Sequence, residues 1–366
     1  MDKVCRAHVV GSLKRPEYLT KATQKRASGE LAITDFKRIE DRAVDEAIRL
    51  QEDIGFEIVT DGEQRRTTFR DWLTVAVDGL SAIPSPPVLL RGLPGHRDIE
   101  RSEPLTVTEK LRLRRSIVTE EFAYARGKVN KPLKVTLPHP MHYLLHYGPE
   151  SVNAYPDPFD LFADAATLVR EECRALAELG CEYIQIDAPI VTWALDAELR
   201  QRFFPSRRIS ADRFLDEAIK LIEVICDVPG VQFALHLCRG NAPTHYFSAG
   251  SYDEAAKLLF QRTTRIHTFL LEYDDWRSGS FESLKYISND KIVVLGLVSS
   301  TKNPAIESAE EIIARVDEAS NYFPRENLAI SAQCGFCSAV GLHGFPQEVQ
   351  EAKLRLIVDV ARRIWK

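Results

Sequence analysis

The stretch VQFALHLC, residues 231–238, runs apolar for most of its length and ends on His236 and Cys238, just before the turn residues of RGN at 239–241. A short β-branched and apolar run bounded by turn chemistry reads as a buried strand. Side chains two apart on a strand share a face, so His236 and Cys238 point the same way at its C-terminal end. Seven further runs repeat the design: CRAHVVGS (5–12), FEIVTDGE (56–63), PLKVTLP (132–138), EYIQIDAP (182–189), HTFLLEYD (267–274), KIVVLGLVS (291–299) and NLAISAQC (327–334).

Between these runs lie segments of helical periodicity. The first, TDFKRIEDRAVDEAIRLQEDIG, offers Thr34 or Asp35 as N-cap and Gly55 as stop, and others cover 159–179, 211–225, 252–265, 309–322 and 347–364. Eight strands alternating with helices describe an α/β fold, a (β/α)8 TIM barrel, expected to occupy 1–366 as one catalytic domain. A Pro- and Gly-rich excursion around 79–130, most irregular at SAIPSPPVLLRGLPGHRD (81–98), separates the second and third strands and could roof the barrel mouth.

Composition narrows the function classes. Of 366 residues, 45% are hydrophobic and 28% charged, with a formal net charge of -5, which leaves no basic excess for a nucleic-acid partner. No run of eighteen apolar residues suggests a membrane span, and no apolar leader follows the first charges, so a cytoplasmic protein acting on small molecules is expected. Homo-oligomerisation is left open. Seven cysteines in such a chain do not suggest a disulfide framework. Cys173, Cys181 and Cys226 sit in apolar or helical patterns and read as buried hydrophobes.

In a barrel of this kind, active sites gather at the C-terminal strand ends. Those ends here supply Gly11 and Ser12, Asp61 and Glu63, His139, Asp187, His236 with Cys238, Glu272, Ser299 and Cys334. If His236, Cys238, Glu272 and Cys334 all project into the mouth, one nitrogen, two sulfurs and one carboxylate oxygen suit tetrahedral zinc, with Zn–S about 2.3 Å and Zn–N about 2.0 Å. The four lie tens of residues apart, so only folding unites them. A competing pairing is CGFC, Cys334 with Cys337, as a dithiol or metal pair.

These motifs resemble the cobalamin-independent methionine synthases, specifically their zinc-bearing C-terminal barrel and the single-barrel proteins similar to it. The marks are VGSLKRPEYL (10–19), VTDGEQRR (59–66), IQIDAP (184–189), HLCRGN (236–241), LEYDD (271–275), VLGLVSS (294–300) and SAQCGF (331–336), in the family's order across nearly the whole chain. The resemblance implies that His236, Cys238, Glu272 and Cys334 ligate a catalytic zinc. It also implies that the backbone at Gly11 and Ser12 holds the carboxylate of homocysteine, while Glu63 and Asp187 receive its ammonium. The implied reaction is methyl transfer to the homocysteine thiolate to give methionine, with methyltetrahydrofolate or another molecule as methyl donor.

The chain departs from the two-barrel relatives in three ways. Where they carry a histidine after the seventh strand that looks like the proton donor, it reads Ser299, Ser300, Thr301 and Lys302. Where they carry Asp-Glu-Pro, it has Asp187, Ala188 and Pro189. Their N-terminal barrel, which contributes to folate handling, has no counterpart in these 366 residues, so a single-barrel protein is expected. The departures bear on the donor more than on the thiol.

His139 and His142 are candidates to face substrate, Trp193 to stack on a planar donor, and Arg239 and Asn241 to support the ligands or meet a substrate anion. Lys302 joins them as a further candidate. Arg65 and Arg66 are read as solvated surface, with an acidic substrate tail as the other option. Two readings compete with homocysteine methylation: zinc-dependent alkyl transfer to another thiol, as in epoxyalkane:coenzyme M transferases, and a non-catalytic or metal-free barrel such as the uroporphyrinogen decarboxylase relatives.

Overall fold

The computed structural model describes residues 4–341 and 345–366. Seven parallel strands form one curled sheet: β1 Ala7–His8, β2 Lys134–Pro138, β3 Tyr183–Asp187, β4 Gln232–Leu237, β5 Ile266–Glu272, β6 Ile292–Val298 and β7 Leu328–Ala332. Their order is β1-β7-β6-β5-β4-β3-β2, so consecutive strands from β2 to β7 are neighbours and the first meets the last. This is a TIM-barrel-like fold.

The second expected strand, FEIVTDGE, is the exception. It contributes a single parallel bridge, Val59 to Leu133. The reason lies in the helix before it. Gln51 reaches from that helix to donate to the Thr60 carbonyl at 2.8 Å and accept from the Thr60 amide at 2.9 Å, taking both groups a ladder would use. Immediately afterwards Gly62 and Glu63 both adopt positive φ and turn the chain away. The seam is closed instead by Leu13 N–H on the Gly62 carbonyl and by the Thr60 hydroxyl on the Gly11 carbonyl, each 3.0 Å.

Inside the barrel, Val10, Ile58, Tyr183, Ala234, Leu270, Val294 and Ala329 form one apolar layer. Two residues further along each strand, the same inward face presents Gln185, His236, Glu272 and Gly296, and Lys134, the register partner of Tyr183, brings a polar group level with the apolar layer itself. The alternate residues, among them Ile184, Ile186, Phe233, Leu235, Phe269 and Leu295, belong to the larger core beneath the helices.

The helix Ile33–Ile54 ends where expected, on Gly55 with φ 101°, a left-handed conformation that glycine adopts without Cβ strain. It begins earlier than expected. Ala32, with extended backbone, is the N-cap and supplies no side-chain bond, which leaves Asp35 in the first turn where its charge suits the helix dipole. The helices Pro158–Glu178, Ala211–Ile225 and Ala309–Ala319 are capped by Asp157, Ser210 and Ser308. The helices expected over 252–265 and 309–322 are shorter, Asp253–Arg262 and Ala309–Ala319. No described helix is long and apolar enough to cross a membrane.

The Pro/Gly-rich excursion is more ordered than its composition suggests. Val77–Ser81 pairs with Thr106–Leu113, and Val88–Gly92 pairs with both Ile99–Arg101 and His245–Tyr246, all antiparallel. The second pairing satisfies backbone groups that a bare loop would leave to water. It also ties the roof to the segment following β4, with Arg91 ion-paired to Asp196 as a clasp.

Gly296 tests the closeness of this packing. A Cβ there would lie 2.7 Å from the Gln333 Cα and 3.0 Å from the Leu271 carbonyl oxygen, both backbone atoms. Gly296→Ala should therefore cost about 1–3 kcal/mol in urea unfolding. A change below about 0.5 kcal/mol would mean that β5, β6 and β7 are less tightly apposed.

Candidate active site

The strand ends and the roof enclose a cavity of about 440 Å³. Gly11, Ser12, Glu63, Asp187, His236, Cys238, Asn241 and Cys334 line its floor and sides, while Leu90 and Ile99 close it from the roof.

His236, Cys238 and Cys334 converge, with ligand atoms all within 4.8 Å of one another. The Cys334 thiol donates to Cys238 at 3.7 Å. That bond, aided by His236, draws the Cys238 thiol down to about 5. The same bond, together with burial, drives Cys334 well above its usual range. Both ring nitrogens of His236 are buried without a hydrogen-bond partner. A buried imidazole with two orphaned nitrogens beside two sulfurs is costly unless something else satisfies it, and a soft N/S donor set of this kind suits zinc.

Glu272 stands beside this cluster, not in it. Its Oε2 accepts from the Arg239 amide at 2.8 Å and from Asn241 Nδ2 at 2.7 Å. Its Oε1 is paired with Arg277, with Lys302 at 3.7 Å. Burial works against its charge, but Arg277 and Lys302 outweigh burial and hold it below the ordinary carboxylate range. Arg277 is the residue that sequence reasoning missed; the signal was an arginine directly after the acidic run EYDDW.

The proposed ammonium acceptors face the same space. Glu63 sits at φ 53°, a strained conformation for a non-glycine residue. Its Oε1 accepts from the Thr136 hydroxyl at 2.8 Å, and its Oε2 is buried with no partner. Asp187 accepts from Gln185 Nε2 at 2.7 Å, and burial pushes its carboxyl up to about 7. Glycine leaves room for side chains at two points nearby. A Cβ on Gly11 would meet Glu63 Oε1 at 2.6 Å, and one on Gly335 would meet the Ser12 hydroxyl oxygen at 2.1 Å.

Trp193 lines the cavity and stacks on Phe247, with centroids 5.3 Å apart and planes at 23°. Asn241 lines it too, with its Oδ1 unpartnered. Other candidates lie elsewhere. His139 caps the 3-10 helix Pro140–His146 by accepting from the Met141 amide, and its Nε2 lies 3.3 Å from the Ala218 carbonyl, so it is a packing residue. His142 reaches the cavity in its place, donating through Nδ1 to the His139 carbonyl at 2.9 Å and kept neutral by burial. The Arg239 guanidinium is buried over the Tyr252 ring at 4.2 Å, away from the cavity lining, so its backbone amide is what serves the site.

Lys302 is occupied by Asp274 at 3.0 Å and Asp275 at 2.6 Å. Arg65 pairs with Glu40 and Asp41, and Arg66 is buried against Glu121 at 2.8 Å, which corrects the solvated-surface reading of Arg66. Cys337 donates to the Ala339 carbonyl at 3.4 Å, so Cys334 partners Cys238 and not its neighbour in CGFC.

Residues 6–363 match the family described as the cobalamin-independent synthase catalytic domain. The chain belongs to this family. An uncharacterized Bacillus subtilis protein, YxjH, is 30% identical, the alignment covering 99% of this chain and 95% of that one. A methionine synthase of Pyrococcus abyssi is 27% identical over 89% of this chain and 85% of its own length. Among solved structures, a putative vitamin-B12-independent methionine synthase from Listeria monocytogenes superposes with a TM-score of 0.74 at 25% identity, covering 100% of this chain and 99% of that one. A B12-independent methionine synthase from a Shewanella species, in complex with selenomethionine, gives 0.75 at 20% identity over 99% and 98% of the two chains, which speaks for a shared fold.

The sulfur geometry makes a chemical prediction for this family member. Chelator-treated protein exposed to diamide should form the Cys238–Cys334 disulfide, seen by peptide mass mapping without reduction. Recovery of a Cys334–Cys337 bridge would contradict the arrangement around CGFC.

Proposed function

We propose that the protein is a zinc-dependent thiol methyltransferase that methylates homocysteine to methionine. The observation that carries this reading is the convergence of His236, Cys238 and Cys334 in the same cavity as Glu63 and Asp187. His236 and the two cysteines would hold the metal. Zinc, when bound, deprotonates a coordinated thiol and keeps it nucleophilic at a pH where a free thiol, with a pKa near 8.5, is mostly protonated.

Glu272 would be the fourth donor to the metal in this reading. A carboxylate already shared among Arg277, Lys302, Asn241 and the Arg239 amide has little electron density left to give, so it is the weakest of the four. Glu63, with its free Oε2, and Asp187 receive the ammonium of the amino acid through charge-assisted hydrogen bonds. The backbone at Gly11 and Ser12 takes its carboxylate. The stacked Trp193 and Phe247, with the apolar roof, form a wall for the methyl donor, methyltetrahydrofolate or another molecule. A sulfonated thiol such as coenzyme M would set its anion against Glu63 and Asp187, which favours homocysteine over the epoxyalkane-transferase reading.

Two measurements test this. Plasma mass spectrometry should find close to one zinc per chain in the parent protein and most of it lost in Cys334→Ser, while Cys337→Ala keeps it. Glu63→Gln should weaken homocysteine binding by roughly tenfold or more while retaining zinc. A parent protein that takes up no zinc after incubation with the metal would end the thiol-activation reading.

A further inference from the structure

Two buried basic residues outside the site as described, Arg66 and Lys134, lead to its carboxylates, burial drawing the Lys134 amine down to about 7. On one side Arg66 Nη1 donates to the Thr136 hydroxyl oxygen at 2.9 Å, and that hydroxyl donates to Glu63 Oε1 at 2.8 Å. On the other, Lys134 Nζ donates to Gln185 Oε1 at 2.6 Å, and Gln185 Nε2 donates to Asp187 Oδ1 at 2.7 Å and to the Val10 carbonyl at 2.8 Å. Arg66, Thr136, Lys134 and Gln185 are all buried.

The chemistry of the donors fixes the direction of each chain. A guanidinium can only donate, and the Val10 carbonyl can only accept, so the Gln185 atom 2.8 Å from it is the NH2. A hydroxyl that already accepts from Arg66 has its own proton free, and Glu63 Oε1 is the acceptor in line. An amide whose NH2 serves Asp187 and the Val10 carbonyl turns its oxygen toward Lys134. Each carboxylate thus meets a donor on one oxygen and keeps the other for a ligand, as the unpartnered Oε2 of Glu63 illustrates.

Neither basic group cancels the carboxylate it serves. Arg66 places Nε and Nη2 on Glu121 Oε2 and lies 3.8 Å from Glu63. Lys134 donates to two neutral oxygens, the Val9 carbonyl and Gln185. A short, hydrogen-bonded ion pair at either carboxylate would compete with an arriving ammonium; the Arg66–Glu63 pair, at 3.8 Å, is longer than a hydrogen bond, and the neutral donor in between is what orients the carboxylate.

From this geometry we infer that Thr136 and Gln185, each oriented by a buried basic side chain, are positioning residues that make the site selective for thiols and thioethers bearing an α-ammonium group. The inference rests on the reading of Glu63 and Asp187 as ammonium acceptors.

Calorimetric titration of the full-length protein with L-methionine and with 4-(methylthio)butanoate, which differs by lacking the amine, tests it. The parent should bind methionine at least roughly tenfold more tightly. In Thr136→Val and in Gln185→Glu that ratio should fall to about threefold or less, with the butanoate affinity close to the parent's, and Thr136→Ser should restore it. General structural damage would weaken both ligands and leave the ratio alone, and thermal unfolding of each variant identifies it. Thr136→Val removes only one hydroxyl, so it carries the test if Gln185→Glu does not fold. Variants that keep the parent's ratio would overturn the positioning role. A parent ratio near one would instead remove the ammonium site itself.

Discussion

The two-residue repeat of a β-strand, held in register across a closed barrel, is the constraint on which the site depends. Asp187 is the register partner of His236, and His236 of Leu270 on the next strand. Glu272, two residues beyond Leu270 on the same face, therefore rises with Cys238, one layer above His236. Cys334 follows the last strand, which closes against the first, and so returns beside Cys238 from almost a hundred residues away in the chain. A one-residue slip in any of these ladders would turn the inward face outward and scatter the cluster.

Charge is distributed around that frame with restraint. The cavity holds two sulfurs and two carboxylates, while a third carboxylate, Glu272, is drawn aside by Arg277 and Lys302. Buried charges cost folding energy unless paired and hydrogen-bonded, and most here are. Among the described residues the exceptions include the Arg239 guanidinium, which rests on the Tyr252 ring alone, and three groups at the cavity: the His236 ring, Glu63 Oε2 and Asn241 Oδ1. Local rules fail where a protein binds something, and these three failures share one cavity.

Much of this was legible in the sequence because it is written locally. Seven of the eight strands, the alternation with helices and the stop at Gly55 follow from short-range periodicity and turn chemistry. So does the pairing of His236 with Cys238. What escaped depends on contacts between distant segments. The second strand lost its ladder to Gln51, a helix residue whose reach no strand pattern reveals. Arg66 looked like surface because its partner, Glu121, lies in the excursion. His139 and His142 both looked able to face substrate, but only the second lines the cavity, because the first caps the 3-10 helix that carries the second. The roof strands were hidden by a composition rich in proline and glycine, since their pairing partner, His245–Tyr246, lies far along the chain.

The central claim is that His236, Cys238 and Cys334 would hold one zinc together with the sulfur of a thiol substrate, Glu272 being the donor it would replace. X-ray absorption at the zinc edge, on the zinc-loaded protein alone and with homocysteine added, tests it most directly. The account predicts a rise from two to three sulfur neighbours at about 2.3 Å with loss of the oxygen contribution. An unchanged shell in the presence of saturating homocysteine would contradict it.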